Sequence, residues 1–146
     1  MQLKTLAQDL LGLERRFWTG DAEFYRRHLD EKCLTVFKGM AGVFNREDIA
    51  VQAKNGHHWT NLQLTAKGFV QPSEDFAILS YEMSGEREDG APHRALASTG
   101  YVRRYGEWKM TFHQQTPLDA EIAKAKPMPK RNRVATGNSE EIQPPM

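Results

Sequence analysis

The chain has 146 residues, with 20 basic and 19 acidic side chains and a formal net charge of +1, a length usual for one domain. That balance supplies no field to draw the chain as a whole onto nucleic acid or an anionic membrane, and no run of about 18 apolar residues predicts a bilayer span. A single cysteine, Cys33, excludes an intrachain disulfide and fits a reducing cytoplasm, while the charges mixed into MQLKTLAQDLLGLERR do not resemble a signal peptide.

In chain order, Leu3, Leu6, Leu10, Leu13 and Phe17 recur every three or four residues and predict a helix with one buried face. Lys4, Gln8, Glu14 and Arg15 are assigned largely to its other sides. Thr19-Gly20-Asp21 breaks this helix, and Asp21 is the predicted N-cap of a short second one that buries Phe24, Tyr25, His28 and Leu29. A short strand is expected at 33–37, then a loop bracketed by Gly39 and Gly42. Asn45 is the expected cap of a third helix through Ile49 and Ala53, which Asn55-Gly56 ends.

The hydrophobic period then changes. Residues 62–71 alternate, with Leu62, Leu64, Ala66 and Val70 on one face. Strands are predicted at 76–88, 93–104 and 108–116, with Asp89-Gly90 as a hairpin signal and Pro117 as a stop. Helices followed by an antiparallel meander read as α+β. The predicted domain is 1–118. Residues 119–126 are read as a frayed helix within a polar tail, 119–146, whose prolines argue for disorder from 127 onward. The basic cluster Lys124, Lys126, Lys130, Arg131 and Arg133 lacks interleaved aromatics for base stacking, so it is read as a solvated tail, with a weak contact to nucleic acid or an acidic partner as the alternative.

Three stretches carry a family likeness: LLGLERRFWTGDAEFYRRHL at 10–29, VFKGMAGVFNREDI at 36–49, and GEWKMTFHQQTP at 106–117. Together they resemble the nuclear-transport-factor-2-like superfamily over roughly residues 3–118, nearest to its SnoaL-like and uncharacterised members. The resemblance implies three N-terminal helices packed on a strongly curved antiparallel sheet, a cone-shaped, barrel-like fold. It also implies a homodimer through the outer sheet face. It says little about activity, because this fold hosts enzymes, binding proteins and assembly domains alike.

Candidate site residues follow from strand alternation. On the closing strand Trp108, Met110, Phe112 and Gln114 are expected to wall a pocket, and Lys109, Thr111, His113 and Gln115 to face outward, unless a bulge near Gln114-Gln115 reverses them. Tyr81, Met83, Thr99 and Tyr101 are assigned to the same pocket from the neighbouring strands, and Trp18, Tyr25 and Trp59 to its helical side and mouth. Weak candidates for acid–base chemistry are Tyr25, Tyr81 and His113. Ketosteroid isomerase is similar in plan, but Phe37-Lys38 stands where its base would fall, and Leu13 and Phe17 where its first-helix tyrosine would. The histidines show no metal-ligand spacing, and Cys33 has no sequence-adjacent base, so no metal and no cofactor are expected. The leading expectation is a small-molecule-binding protein with an apolar pocket. A small SnoaL-like lyase or isomerase acting on a hydrophobic substrate is the alternative, and a dimerisation module the third.

Overall fold

The computed structural model describes residues 5–118. Leu3, the helix expected at 119–126 and the predicted tail lie outside the described residues.

Helix α1 spans Leu6–Thr19 and starts with a reciprocal cap: Thr5 accepts from the Gln8 amide while the Gln8 side chain accepts from the Thr5 amide. Helix α2, Ala22–His28, begins at Asp21, whose carboxylate accepts from the Phe24 amide as predicted. Helix α3 spans Arg46–Ala53. The Ala22 amide donates to the Lys54 carbonyl at 2.8 Å, which ties the start of α2 to the end of α3. Gly56 closes this junction at φ +89°, where a β-carbon would stand 2.6 Å from the Thr19 carbonyl oxygen.

The strands are β1 (Leu29–Phe37), β2 (Met40–Asn45), β3 (Thr60–Ser73), β4 (Phe76–Glu86), β5 (Pro92–Arg104) and β6 (Glu107–Pro117). They form one six-stranded sheet in the order β2-β1-β6-β5-β4-β3, with β2 and β3 at its two edges. The architecture is α+β, with the helices against one face of a curved, unclosed sheet. Neighbours pair antiparallel except β1 and β6, which run parallel. The core lies between helices and sheet, with Leu10, Leu29, Leu79, Tyr81, Met83 and Tyr101 nearly or fully buried.

Three local expectations are corrected. On β3 a register shift between Ala66 and Gly68 places Val70 opposite Ile78, on the face away from Leu64 and Ala66. The segment expected as a short strand and a loop is a hairpin: Gly42 pairs with Thr35, and only Lys38-Gly39 turns, with Gly39 at φ +79°. On β6 the alternation does not run through. Gly100 pairs with Phe112 but Tyr101 pairs with Met110, so Thr111 is an extra residue opposite that step. This bulge lies earlier than the Gln114-Gln115 position considered from the sequence. It inverts the facing of every later side chain. Met110 and His113 are therefore both buried on the inner face, and Phe112 and Gln114 fall on the outer one. Gly100 permits the close approach, since a β-carbon there would meet the Phe112 β-carbon at 3.3 Å.

Candidate functional site

A cavity of about 520 Å³ lies between the three helices and the β1, β2 and β6 side of the sheet. Phe17 and Trp18 from α1, Tyr25 from α2, Phe37 from β1, Phe44 from β2 and Trp59 before β3 supply its rings. Trp18 and Trp59 meet edge to face with centroids 5.6 Å apart, which fixes both side chains without filling the space. The exposed residues Met40, Asp48 and His57 belong to its rim. Its polar lining includes Glu14, Thr35, His113 and Gln115.

Glu14 is fully buried on α1. It sits four residues after Leu10 and three before Phe17, hence on the helix face they define. A buried carboxylate requires hydrogen-bond donors, and the sheet provides three. Tyr81 Oη donates to Oε1 at 2.6 Å, Thr99 Oγ1 to Oε1 at 2.8 Å, and Tyr101 Oη to Oε2 at 2.5 Å. Trp18 Nε1 in turn donates to Tyr81 Oη at 2.9 Å.

His113 joins the same network through Thr99. The Thr99 hydroxyl has one proton and gives it to Glu14, so His113 Nδ1–H donates to Thr99 Oγ1 at 2.8 Å. His113 Nε2 then accepts from the Gln115 amide at 3.0 Å. Nδ1 also lies 3.7 Å from Glu14 Oε1, within ion-pair range. That pair would need a charged imidazole, whereas burial pulls the His113 pKa below its usual value against the opposing pull of Glu14. The hydroxyl-bridged, neutral arrangement is the one consistent with both facts.

Burial, then the Glu14 charge, pushes Tyr81 and Tyr101 far above the usual phenol range. The same causes take Tyr25 up to about 12, and Tyr25 Oη donates to the Phe17 carbonyl at 2.6 Å. In the structure each of these tyrosines donates its hydroxyl proton to a fixed acceptor, Tyr81 and Tyr101 to Glu14 and Tyr25 to the Phe17 carbonyl. Burial likewise pushes the Cys33 thiol up to about 12, which makes it an inert wall residue.

Of the residues expected from the sequence to form the pocket, Trp18, Tyr25 and Trp59 line this cavity. Tyr81, Met83, Thr99 and Tyr101 are buried on the inner face behind it, where three of them hold Glu14. Phe112 and Gln114 are placed by the bulge on the opposite face, and His113, expected outward, is brought inward. Glu14 and Thr35 were not anticipated. The spacing of Glu14 from Leu10 and Phe17 was a usable signal, because a charged residue in the middle of an apolar stripe requires buried partners. Among the described residues no group of three or more histidine, cysteine, aspartate or glutamate side chains is arranged to hold a metal ion. No described helix is long and apolar enough to cross a membrane.

No protein-family model and no curated protein matches the sequence. Solved structures do match. A nuclear-transport-factor-2-like protein of unknown function from Prochlorococcus marinus superposes with a TM-score of 0.62 at 9% identity, covering 82% of this chain and 98% of that one. The association domain of Caenorhabditis elegans CaMKII does so with a TM-score of 0.59 at 14% identity, covering 76% and 92%. A ketosteroid isomerase-like protein from Erwinia carotovora atroseptica gives 0.59 at 13% identity, covering 75% and 91%. The chain thus has the nuclear-transport-factor-2-like cone fold, as its sequence resemblance implies.

Proposed function

We propose that the chain is a small-molecule-binding protein whose ligand occupies the cavity between the helices and β1, β2 and β6. The observation that carries this reading is the cavity itself: about 520 Å³, walled by six aromatic residues, with Glu14, Thr35, His113 and Gln115 among its polar lining. That size and make-up are usual for a ligand site. Titration with N-phenyl-1-naphthylamine, a neutral fluorescent apolar probe, tests it. Saturable one-to-one binding in the micromolar range is expected; fluorescence that rises linearly without saturation overturns it.

A second reading, a small lyase or isomerase of the SnoaL-like kind acting on a hydrophobic substrate, is favoured by one specific feature. His113 reaches the cavity wall with its tautomer set by Thr99 and, behind it, Glu14. A base oriented by a third group is the usual build of an acid–base site. On this reading His113→Asn abolishes turnover while the probe still binds.

The outer sheet face is the proposed homodimer surface. Val43, Leu34, Phe112, Gly100, Ile78 and Val70 are successive cross-strand partners along one row of that face. Val43, Leu34 and Val70 are 63%, 43% and 56% exposed. The association domain among the similar structures supports such a use of the fold. Sedimentation equilibrium should give twice the chain mass, and Leu34→Glu should give the single mass. A wild-type monomer at micromolar concentration contradicts the dimer. A cytoplasmic setting is part of the same proposal, supported by the lone cysteine.

A further inference from the structure

We infer that Thr35, with His113 and Gln115 beside it, is the recognition corner for an uncharged apolar ligand bearing one hydroxyl or carbonyl group, and that the cavity discriminates against carboxylate ligands of the same skeleton. This rests on the reading of the cavity as a ligand site.

Thr35 Oγ1 is the one buried side-chain polar atom without a hydrogen-bond partner among the described residues. The residue is only 7% exposed and lines the cavity. A buried hydroxyl normally has a partner, so a group that completes this one gains affinity. Thr35 on β1 is the direct cross-strand partner of His113 on β6, and Gln115 follows two residues later on the cavity wall. The Gln115 amide uses one N–H on His113, and its second N–H and its oxygen have no partner among the described residues. The corner therefore offers a hydroxyl that both donates and accepts, next to a carboxamide that does the same. A ligand hydroxyl or carbonyl can use either.

Charge narrows the class. Among the described residues no lysine or arginine lines the cavity, while Glu14 and Asp48 do. An anion entering here would lose its hydration with no counter-charge, near an existing carboxylate. A cation is not matched either. The Glu14 carboxylate already accepts three hydrogen bonds, from Tyr81, Thr99 and Tyr101, and Asp48 stands on the exposed rim, so neither is a free buried counter-charge at the Thr35 corner. What remains is a neutral skeleton for the six aromatic walls and a neutral polar group for the corner.

The test uses the full chain at neutral pH and displacement of N-phenyl-1-naphthylamine by naphthalene, 1-naphthol, 2-naphthol, 2-naphthoate and 2-naphthylmethylammonium. The better naphthol is expected to displace the probe at least about tenfold more tightly than naphthoate or the ammonium compound. Thr35→Val keeps the shape and removes the hydroxyl. It should weaken that naphthol roughly fivefold, the order of one neutral hydrogen bond, and weaken naphthalene, which has no polar group, by far less, with the circular dichroism spectrum reporting that the variant is folded. Equal or tighter binding of naphthoate or the ammonium compound overturns the inference, as does a naphthol affinity unchanged by Thr35→Val. If the probe itself does not bind, the cavity reading fails and this one fails with it; if the probe binds and the naphthols show no preference, only this one fails.

Discussion

Tyr101 Oη lies 2.5 Å from Glu14 Oε2, and it joins the last turns of α1 to the middle of the sheet in the interior of the protein. Around this bond the packing of helix on sheet is polar as well as apolar. Glu14 replaces what would otherwise be another leucine on the α1 stripe, and three sheet hydroxyls converge on it.

Removing one donor differs from removing the acceptor. Tyr101→Phe deletes one hydrogen bond to a charged group and should cost about 1.5–3 kcal/mol. Glu14→Leu leaves the Tyr81, Thr99 and Tyr101 hydroxyls buried without this acceptor at once, each unsatisfied donor costing about 1–3 kcal/mol, and should cost more in total. Urea unfolding of both variants checks the order. A Glu14→Leu protein as stable as the wild type would contradict the role given to this carboxylate.

His113 makes stability depend on pH in a stated direction. Its folded pKa is lowered, chiefly by burial, whereas an unfolded histidine titrates near about 6.5. As pH falls, the unfolded chain therefore takes up this proton first. Stability is undiminished above about pH 6.5 and declines from there toward the lower folded pKa. His113→Gln should flatten that decline without erasing it, because burial also lowers His28 and His93. Thermal midpoints between neutral and mildly acidic pH, wild type against variant, measure the difference. An unchanged slope counts against a buried neutral His113.

Cys33, with its thiol pushed up to about 12 and 1% exposed, should resist iodoacetamide in the native protein at mildly alkaline pH. It should react fully in denaturant. Rapid native labelling, read by mass spectrometry, would contradict its place in the wall.

Gly56→Ala forces a β-carbon to 2.6 Å from the Thr19 carbonyl oxygen at a backbone φ of +89°. The junction of α1, α2 and α3 should lose more than about 1 kcal/mol. Gly39, also at positive φ but in open space, should lose less when changed to alanine. Equal losses at the two sites would show that conformation alone, and not the close approach, decides them.

Much of the fold was legible because it rests on local signals. The stripe from Leu6 to Phe17, the Asp21 cap and the Asp89-Gly90 turn each point to one outcome, and each is found. The site was less legible for a physical reason. Strand facing has a period of two, so the single extra residue at Thr111 exchanges Phe112 for His113 on the cavity side. Nothing in GEWKMTFHQQTP marks that residue, since the register shift is seen only against the paired β5 strand, between Gly100 and Tyr101. Thr35 escaped notice because a threonine in a strand is ordinary, and only its tertiary surroundings leave its hydroxyl unpartnered.

The central claim is that the aromatic cavity takes a small apolar molecule. The most direct measurement is probe titration of the wild type beside Ala53→Phe, a substitution that adds a ring to a wall residue buried to 6% exposure. Saturable binding with quenching of the Trp18 and Trp59 emission, lost in Ala53→Phe at a retained fold, is the predicted result. Probe binding of equal strength in both proteins would place the ligand elsewhere and contradict the account.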